Sequence, residues 1–271
     1  MFLIPWYLSL CIAQGVLVLI PSVGREGDRR QALLGAAGPA AAMVVGVAIV
    51  GLLGGAGASF LTWLGTTVTP VLAGALGWIA RWRLPYLTVV AAAALYVVAW
   101  QSGGRAGQVA GAILIGGACL AIAGIVGPIT PPGYLAVGLV LLVGLDTYLV
   151  FGTTQVATTT QALQATTLPH VSAPAGVSHP LPGLQEVVLG NSSMGWLDFL
   201  APALLGAVIG RHMRPRLLAA IVVVATGFAW GFLLEVTSEL PATVPILAGL
   251  LVTWRTWAPG AFARSQRGLA P

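Results

Sequence analysis

The chain has 271 residues, of which 58% are hydrophobic and only 7% charged, whereas an ordinary soluble domain carries about 25% charged residues. That much apolar sequence exceeds what a water-soluble core can bury and implies a polytopic, all-α protein with the lipid bilayer as its solvent. The formal net charge of +5 comes from twelve arginines and no lysine; they fall in short clusters between apolar runs, where they orient helices, so a nucleic-acid partner is excluded as a reading of the charge.

A membrane crossing needs about 20 apolar residues, and the charges and prolines divide the sequence into nine expected spans. The first, Phe2–Ser22, lacks the basic residues that open a secretory signal and a small-residue cleavage site, and is expected to be a helix of the mature protein. Leu33–Gly55 and Ala58–Ala80 follow, punctuated only by Gly54, Gly55 and Gly57. Pro85–Gln101, Gly107–Gly127 and Gly133–Thr153 complete six spans. The connection 154–192 is rich in Thr, Ser, Pro, Gln and Gly, carries one charge, Glu186, and is too polar to cross, so it reads as a flap at one membrane face. The last three spans are Ser193–Gly210, Leu217–Leu234 and Leu240–Trp257. The expectation is a single membrane domain, 1–271, with a bundle of five spans over 1–132 and a second part, 133–271, holding four spans and the flap.

Several features have plain structural meanings. The glycine pairs 51/55, 107/111, 206/210 and 227/231 let helix backbones approach closely. Cys11 and Cys119 lie inside apolar runs as packing residues. His170, His179 and His212 are too scattered for a metal site, so no metal or cofactor is expected. Trp6, Trp63, Trp78, Trp82, Trp254 and Trp257 lie near span ends as interfacial anchors.

With the N-terminus outside, the cytoplasmic connections hold every arginine except Arg105. The positive-inside bias therefore puts the C-terminus in the cytoplasm and the flap outside, as nine crossings require. The absence of lysine reads as the coding bias of a GC-rich genome, and the expected location is the plasma membrane of a bacterium or archaeon.

Five of the seven acids have solvated positions: Glu26 and Asp28 among arginines, Glu186 on the flap, and Glu235 and Glu239 around a turn. Asp146 falls near the middle of the sixth span, and Asp198 lies near the flap end of the seventh. Burying a carboxylate in a membrane costs at least about 3 kcal/mol on insertion scales, and such residues mark function by default. Two carboxylates that share a site hold one proton between them near neutral pH, so that one can activate water while the other polarises a carbonyl. A polar lock between helices and an ion-translocating pair use the same two residues and remain open at this point.

Asp146-Thr-Tyr-Leu-Val-Phe-Gly-Thr153 resembles the sixth-helix signature of signal peptide peptidases and presenilins, in which Tyr-Asp is followed, in the peptidases, by Val-Phe-Gly-Thr. Gly195-Trp-Leu-Asp198-Phe199 resembles their seventh-helix Gly-x-Gly-Asp motif, and Leu240-Pro-Ala-Thr-Val-Pro-Ile-Leu247 their Pro-Ala-Leu motif. Leu145 stands where the family has its tyrosine, Leu197 where it has the second glycine, and Thr243 and Val244 interrupt the Pro-Ala-Leu-Pro pattern. The resemblance implies a presenilin-like fold and an intramembrane aspartyl protease with Asp146 and Asp198 as its catalytic pair. It also implies that Pro241, Ala242 and Thr243, with Gly195, Trp196, Leu197 and Tyr148, shape a site for transmembrane peptide substrates, and that the flap contributes a strand or gate. An ion-coupled transporter or channel, a prepilin-type peptidase, and an inactive relative that binds membrane helices are the alternatives.

Overall fold

The computed structural model describes residues 4–20, 29–102, 104–153, 183–190, 192–235 and 240–255. These form nine α-helices: α1 (Ile4–Leu19), α2 (Arg29–Leu53), α3 (Gly55–Ile79), α4 (Tyr86–Gln101), α5 (Arg105–Ile129), α6 (Pro132–Gly152), α7 (Trp196–Ile209), α8 (Met213–Gly231) and α9 (Val244–Val252). A single 3-10 turn, Phe232–Glu235, follows α8. Four helices, α3, α5, α6 and α8, are long and apolar enough to cross a membrane, and α1, α4, α7 and Ala37–Leu53 of α2 are shorter apolar helices. Large apolar side chains stand exposed on the outside of the bundle, among them Leu52 at 84%, Val71 at 69% and Val90 at 63%. Such a surface suits hydrocarbon and not water. The protein is a membrane protein of helical architecture.

The mostly helical architecture agrees with the all-α expectation, and the start of the seventh span needs one correction. Glu186–Leu189 (β1) and Ser192–Gly195 (β2) pair antiparallel, with Glu186 opposite Gly195 and Leu189 opposite Ser192. The expected seventh span therefore opens as a strand, and its helix starts only at Trp196. Ser192 and Ser193 favour hydrogen bonds outside a helix, and Gly195 is the extended N-cap residue of α7. The last helix likewise starts only at Val244, with a proline in its first turn, against an expected start at Leu240. Most of the flap, 154–182, lies outside the described residues, as do His170, His179 and Trp257.

Gly190 ends β1 and shows why the hairpin turns there. Its φ of +61° is in the left-handed region that favours glycine, and a Cβ on it would lie 2.5 Å from the Trp6 ring. Its N–H donates to Gln108 Oε1 of α5 at 2.9 Å, and the Arg105 guanidinium sits 5.1 Å over the Trp6 ring. The hairpin is thus fastened to the starts of α1 and α5.

The core runs through α1, α5, α6, α7 and α9, with Leu10, Leu114, Ile115, Leu139, Leu142, Phe199, Leu204, Leu205 and Ile246 fully enclosed. Small residues set its closest approaches. A Cβ on Gly206 would lie 2.9 Å from the Val18 carbonyl oxygen, bringing α7 onto α1, and one on Gly15 would lie 2.6 Å from a Val224 methyl, bringing α1 onto α8. Gly227 and Gly231 meet Cys11 and Tyr7 across the same α1–α8 contact, whereas Gly51 and Gly55 face open space.

Arg216, in the first turn of α8, is 1% exposed. Its Nη2 donates to Gly206 O at 2.8 Å and its Nη1 to Leu19 O at 3.1 Å, and its Nε donates to Gly210 O. These are carbonyls at the C-terminal ends of α7 and α1, which have no helical donors of their own and carry partial negative charge. One guanidinium therefore closes two helices at once. Arg216→Ala should lower the detergent-unfolding midpoint by an amount equivalent to about 3 kcal/mol or more, because hydrogen bonds from a charged donor are each worth about 1.5–3 kcal/mol. Lysine, a point charge without the planar fork, should recover only part of it.

Candidate active site

Asp146 sits on the fifteenth residue of α6, enclosed to 6% exposure in an otherwise apolar helix. Its Oδ2 accepts the Thr243 hydroxyl at 2.6 Å and the Thr243 backbone N–H at 3.4 Å. Thr243 is itself 1% exposed and is the N-cap residue of α9, so the carboxylate is bound by the segment that leads into the last helix. Pro241 is buried beside it and Ala242 packs half-buried on the core. Pro245 cannot donate to the Pro241 carbonyl, which instead accepts the Val244 N–H at 3.4 Å.

Asp198 is the third residue of α7, half-buried, and its Oδ2 accepts the Gly195 N–H at 2.9 Å. This is the reciprocal half of a capping box, with a carboxylate at the positive end of the helix dipole. Its backbone is held by a different device. Four residues on stands Pro202, inside α7, which has no N–H to give to the Asp198 carbonyl. The amide of Gln14, 1% exposed on α1, fills that vacancy by donating to Asp198 O at 3.0 Å. Gln14 was not among the residues expected in the site, though two signals were present: a lone amide inside the first apolar run, and a proline four residues after an aspartate.

The fold brings the two carboxylates near each other: α6 packs on α7, α9 packs on both, and Asp198 lies within coulombic reach of Asp146. Asp198 in turn lies within coulombic reach of Tyr7, whose hydroxyl is hydrogen-bonded to Cys11. Tyr7, Cys11 and Gln14 recur at helical spacing on one face of α1, so the first helix forms a wall of the site that the motifs did not indicate. Of the other expected residues, Trp196 and Leu197 pack half-buried against the core, and the Trp196 carbonyl accepts the Cys119 thiol at 3.7 Å. Gly195 is exposed at the head of α7. Tyr148 is not brought to the carboxylates: two residues along α6 is a rotation of about 200°, and its ring stands 62% exposed over Gly152. Among the described residues no three His, Cys, Asp or Glu side chains group as metal ligands.

Such an arrangement can do acid–base chemistry. Two carboxylates on separate helices are each steadied by neutral donors, in an apolar setting where their mutual repulsion is felt strongly. Comparison of the chain with protein-family models, with curated proteins and with solved structures finds no match.

Gln14→Leu should cost about 1–3 kcal/mol, the penalty for an enclosed carbonyl left without a donor. Pro202→Ala returns the missing N–H, so Gln14→Leu should cost clearly less in that background, and a double-mutant cycle of detergent-unfolding midpoints measures the difference. At the hairpin, burial raises the Glu186 carboxyl above its ordinary 4.5, against a smaller opposite effect of the Ser193 hydroxyl bonded to it. A carboxyl raised in the folded state holds its proton more tightly there than in the unfolded chain. Its contribution is therefore most favourable below the ordinary value and declines as pH rises through the folded one. Glu186→Gln should flatten that component of the midpoint-versus-pH curve.

Proposed function

We propose that this chain is an intramembrane aspartyl endopeptidase that hydrolyses peptide bonds within transmembrane helices or remnant signal peptides, with Asp146 and Asp198 as its catalytic pair. The observation that carries this reading is the convergence of two carboxylates from successive helices with the Pro241–Thr243 segment hydrogen-bonded to one of them. All three elements correspond to the strings by which the sequence resembles signal peptide peptidases and presenilins.

The chemistry follows from a shared proton. The ionised carboxylate takes a proton from water as the water oxygen attacks the scissile carbonyl carbon. The protonated carboxyl donates to the carbonyl oxygen, giving a gem-diol, and breakage of the C–N bond sends a proton to the departing amine. No covalent enzyme intermediate is needed.

Water must reach such a site inside the bilayer, and helix lengths support that. At 1.5 Å per residue, α7 reaches about 21 Å, short of the roughly 30 Å hydrocarbon core, and α9 starts only at Val244. Both flank the carboxylates and both begin in non-helical backbone, which at membrane depth is tolerated where protein encloses it or it lines a water-filled cavity. Nine crossings of a prokaryotic plasma membrane, with the N-terminus outside and the C-terminus cytoplasmic, remain our reading of the arginine distribution. That orientation favours substrate helices with a cytoplasmic N-terminus.

Cleavage of a transmembrane reporter peptide by the purified protein in detergent tests the proposal. Asp146→Ala and Asp198→Ala should each reduce cleavage by about 100-fold or more, as loss of a general acid or base does. Equal cleavage by wild type and both variants would sink the assignment, and proton or sodium flux in liposomes without any cleavage would replace it with ion coupling.

A further inference from the structure

We infer that Thr243 is a positioning residue for Asp146: its hydroxyl and its backbone N–H together hold one carboxylate oxygen, fixing the carboxylate plane and leaving proton transfer to Oδ1. The inference rests on Asp146 being catalytic, and goes beyond that reading by giving a role to the residue at which the Pro-Ala-Thr string departs from Pro-Ala-Leu.

The local geometry accounts for the direction of the hydroxyl. A threonine at a helix N-cap ordinarily turns its oxygen back to accept the N–H of the second or third helical residue. In α9 the second residue is Pro245, which has no N–H, and the third, Ile246, already donates to the Thr243 carbonyl at 3.0 Å. The Thr243 side chain makes no cap hydrogen bond. It reaches across to α6 instead, where its Oγ1 lies 2.6 Å from Asp146 Oδ2, a length typical of a hydroxyl donating to a charged oxygen. The backbone N–H at 3.4 Å meets the same oxygen, and because an N–H can only donate, Oδ2 is the acceptor of both. Threonine is β-branched and stiff at χ1, and with 1% exposure it has no room to turn away. Asp198 is the titratable group that faces Asp146 from α7, with Tyr7 and Cys11 behind it on α1. The Thr243 hydroxyl is a neutral donor to Asp146 from α9. Leucine at this position would leave only the longer backbone contact.

Two measurements on the full-length protein in detergent test this. In the reporter assay, Thr243→Val and Thr243→Leu should lower kcat by about 10- to 100-fold, the worth of a hydrogen bond to a charged group, with KM little changed, while Thr243→Ser stays within about threefold of wild type. Wild-type kcat in Thr243→Leu, or failure of serine to rescue in a protein with an unchanged unfolding midpoint, overturns the inference. The second measurement needs no catalysis. The chain has three aspartates, Asp28, Asp146 and Asp198, so carbon-13 aspartate labelling in a D28N/D198N background leaves Asp146 as the one labelled carboxylate for infrared spectroscopy. Thr243→Val should shift its carboxylate stretch and Thr243→Ser should not; an unshifted band in Thr243→Val overturns the inference even if the protease reading stands. A band shifted by Thr243→Val, together with a wild-type chain that cleaves nothing, would keep the Thr243–Asp146 contact and remove the protease reading alone.

Discussion

A proline four residues after an aspartate decides how the site is held together. Pro202 deprives the Asp198 carbonyl of its helical donor, and an apolar medium offers no water to replace it. The protein solves this with a side chain from the far end of the chain, the Gln14 amide of α1. The backbone that carries the second carboxylate is thereby tied to the first helix, and the position of α1 becomes part of the site. Loss of a proline-blocked hydrogen bond usually loosens a helix; here it is converted into a long-range tether.

The opposite end of the same helix pair is closed by a second polar side chain. Arg216 reaches the terminal carbonyls of both α1 and α7, so the pair is fixed at one end by an amide and at the other by a guanidinium. At the guanidinium tie Gly206 allows the backbones to touch. Apolar packing alone gives little preference for one helix partner over another in lipid, because the tails are as apolar as the side chains. Directional bonds to unpaired carbonyls supply the specificity that packing lacks. They do so without placing a formal opposite charge beside either aspartate.

Against this rigid pair, α6 and the entry to α9 bring the other half of the chemistry. Thr243 bridges from the last helix to Asp146, and the β1–β2 hairpin delivers the chain directly into the N-cap of α7, where Gly195 meets Asp198. Each carboxylate thus has one oxygen committed to a fixed neutral donor and lies at the junction of helix with non-helical backbone, or against one. That combination gives acidic groups a defined orientation while leaving them unneutralised, which acid–base chemistry requires.

Much of this was legible in the sequence, for local reasons. Hydropathy is a property of neighbouring residues, so the apolar runs, their approximate limits and the two carboxylates within them could be read directly, and the helices lie close to where those runs were drawn. Tyr148 was grouped with the site on proximity in sequence, but helical rotation turns it outward. The strand at Ser192–Gly195 and the late start of α9 depended on pairing and on prolines whose effect reaches beyond the residue that carries them. Gln14 meets Asp198 across 184 positions and Thr243 meets Asp146 across 97, distances over which spacing carries no signal. The sequence by itself determined the solvent, the helical class and the two acids that must be accommodated, because burying charge in apolar surroundings is costly wherever it occurs. Only the tertiary structure decided which neutral donors steady those acids, because hydrogen bonds depend on direction and on an approach of helices that no local pattern specifies.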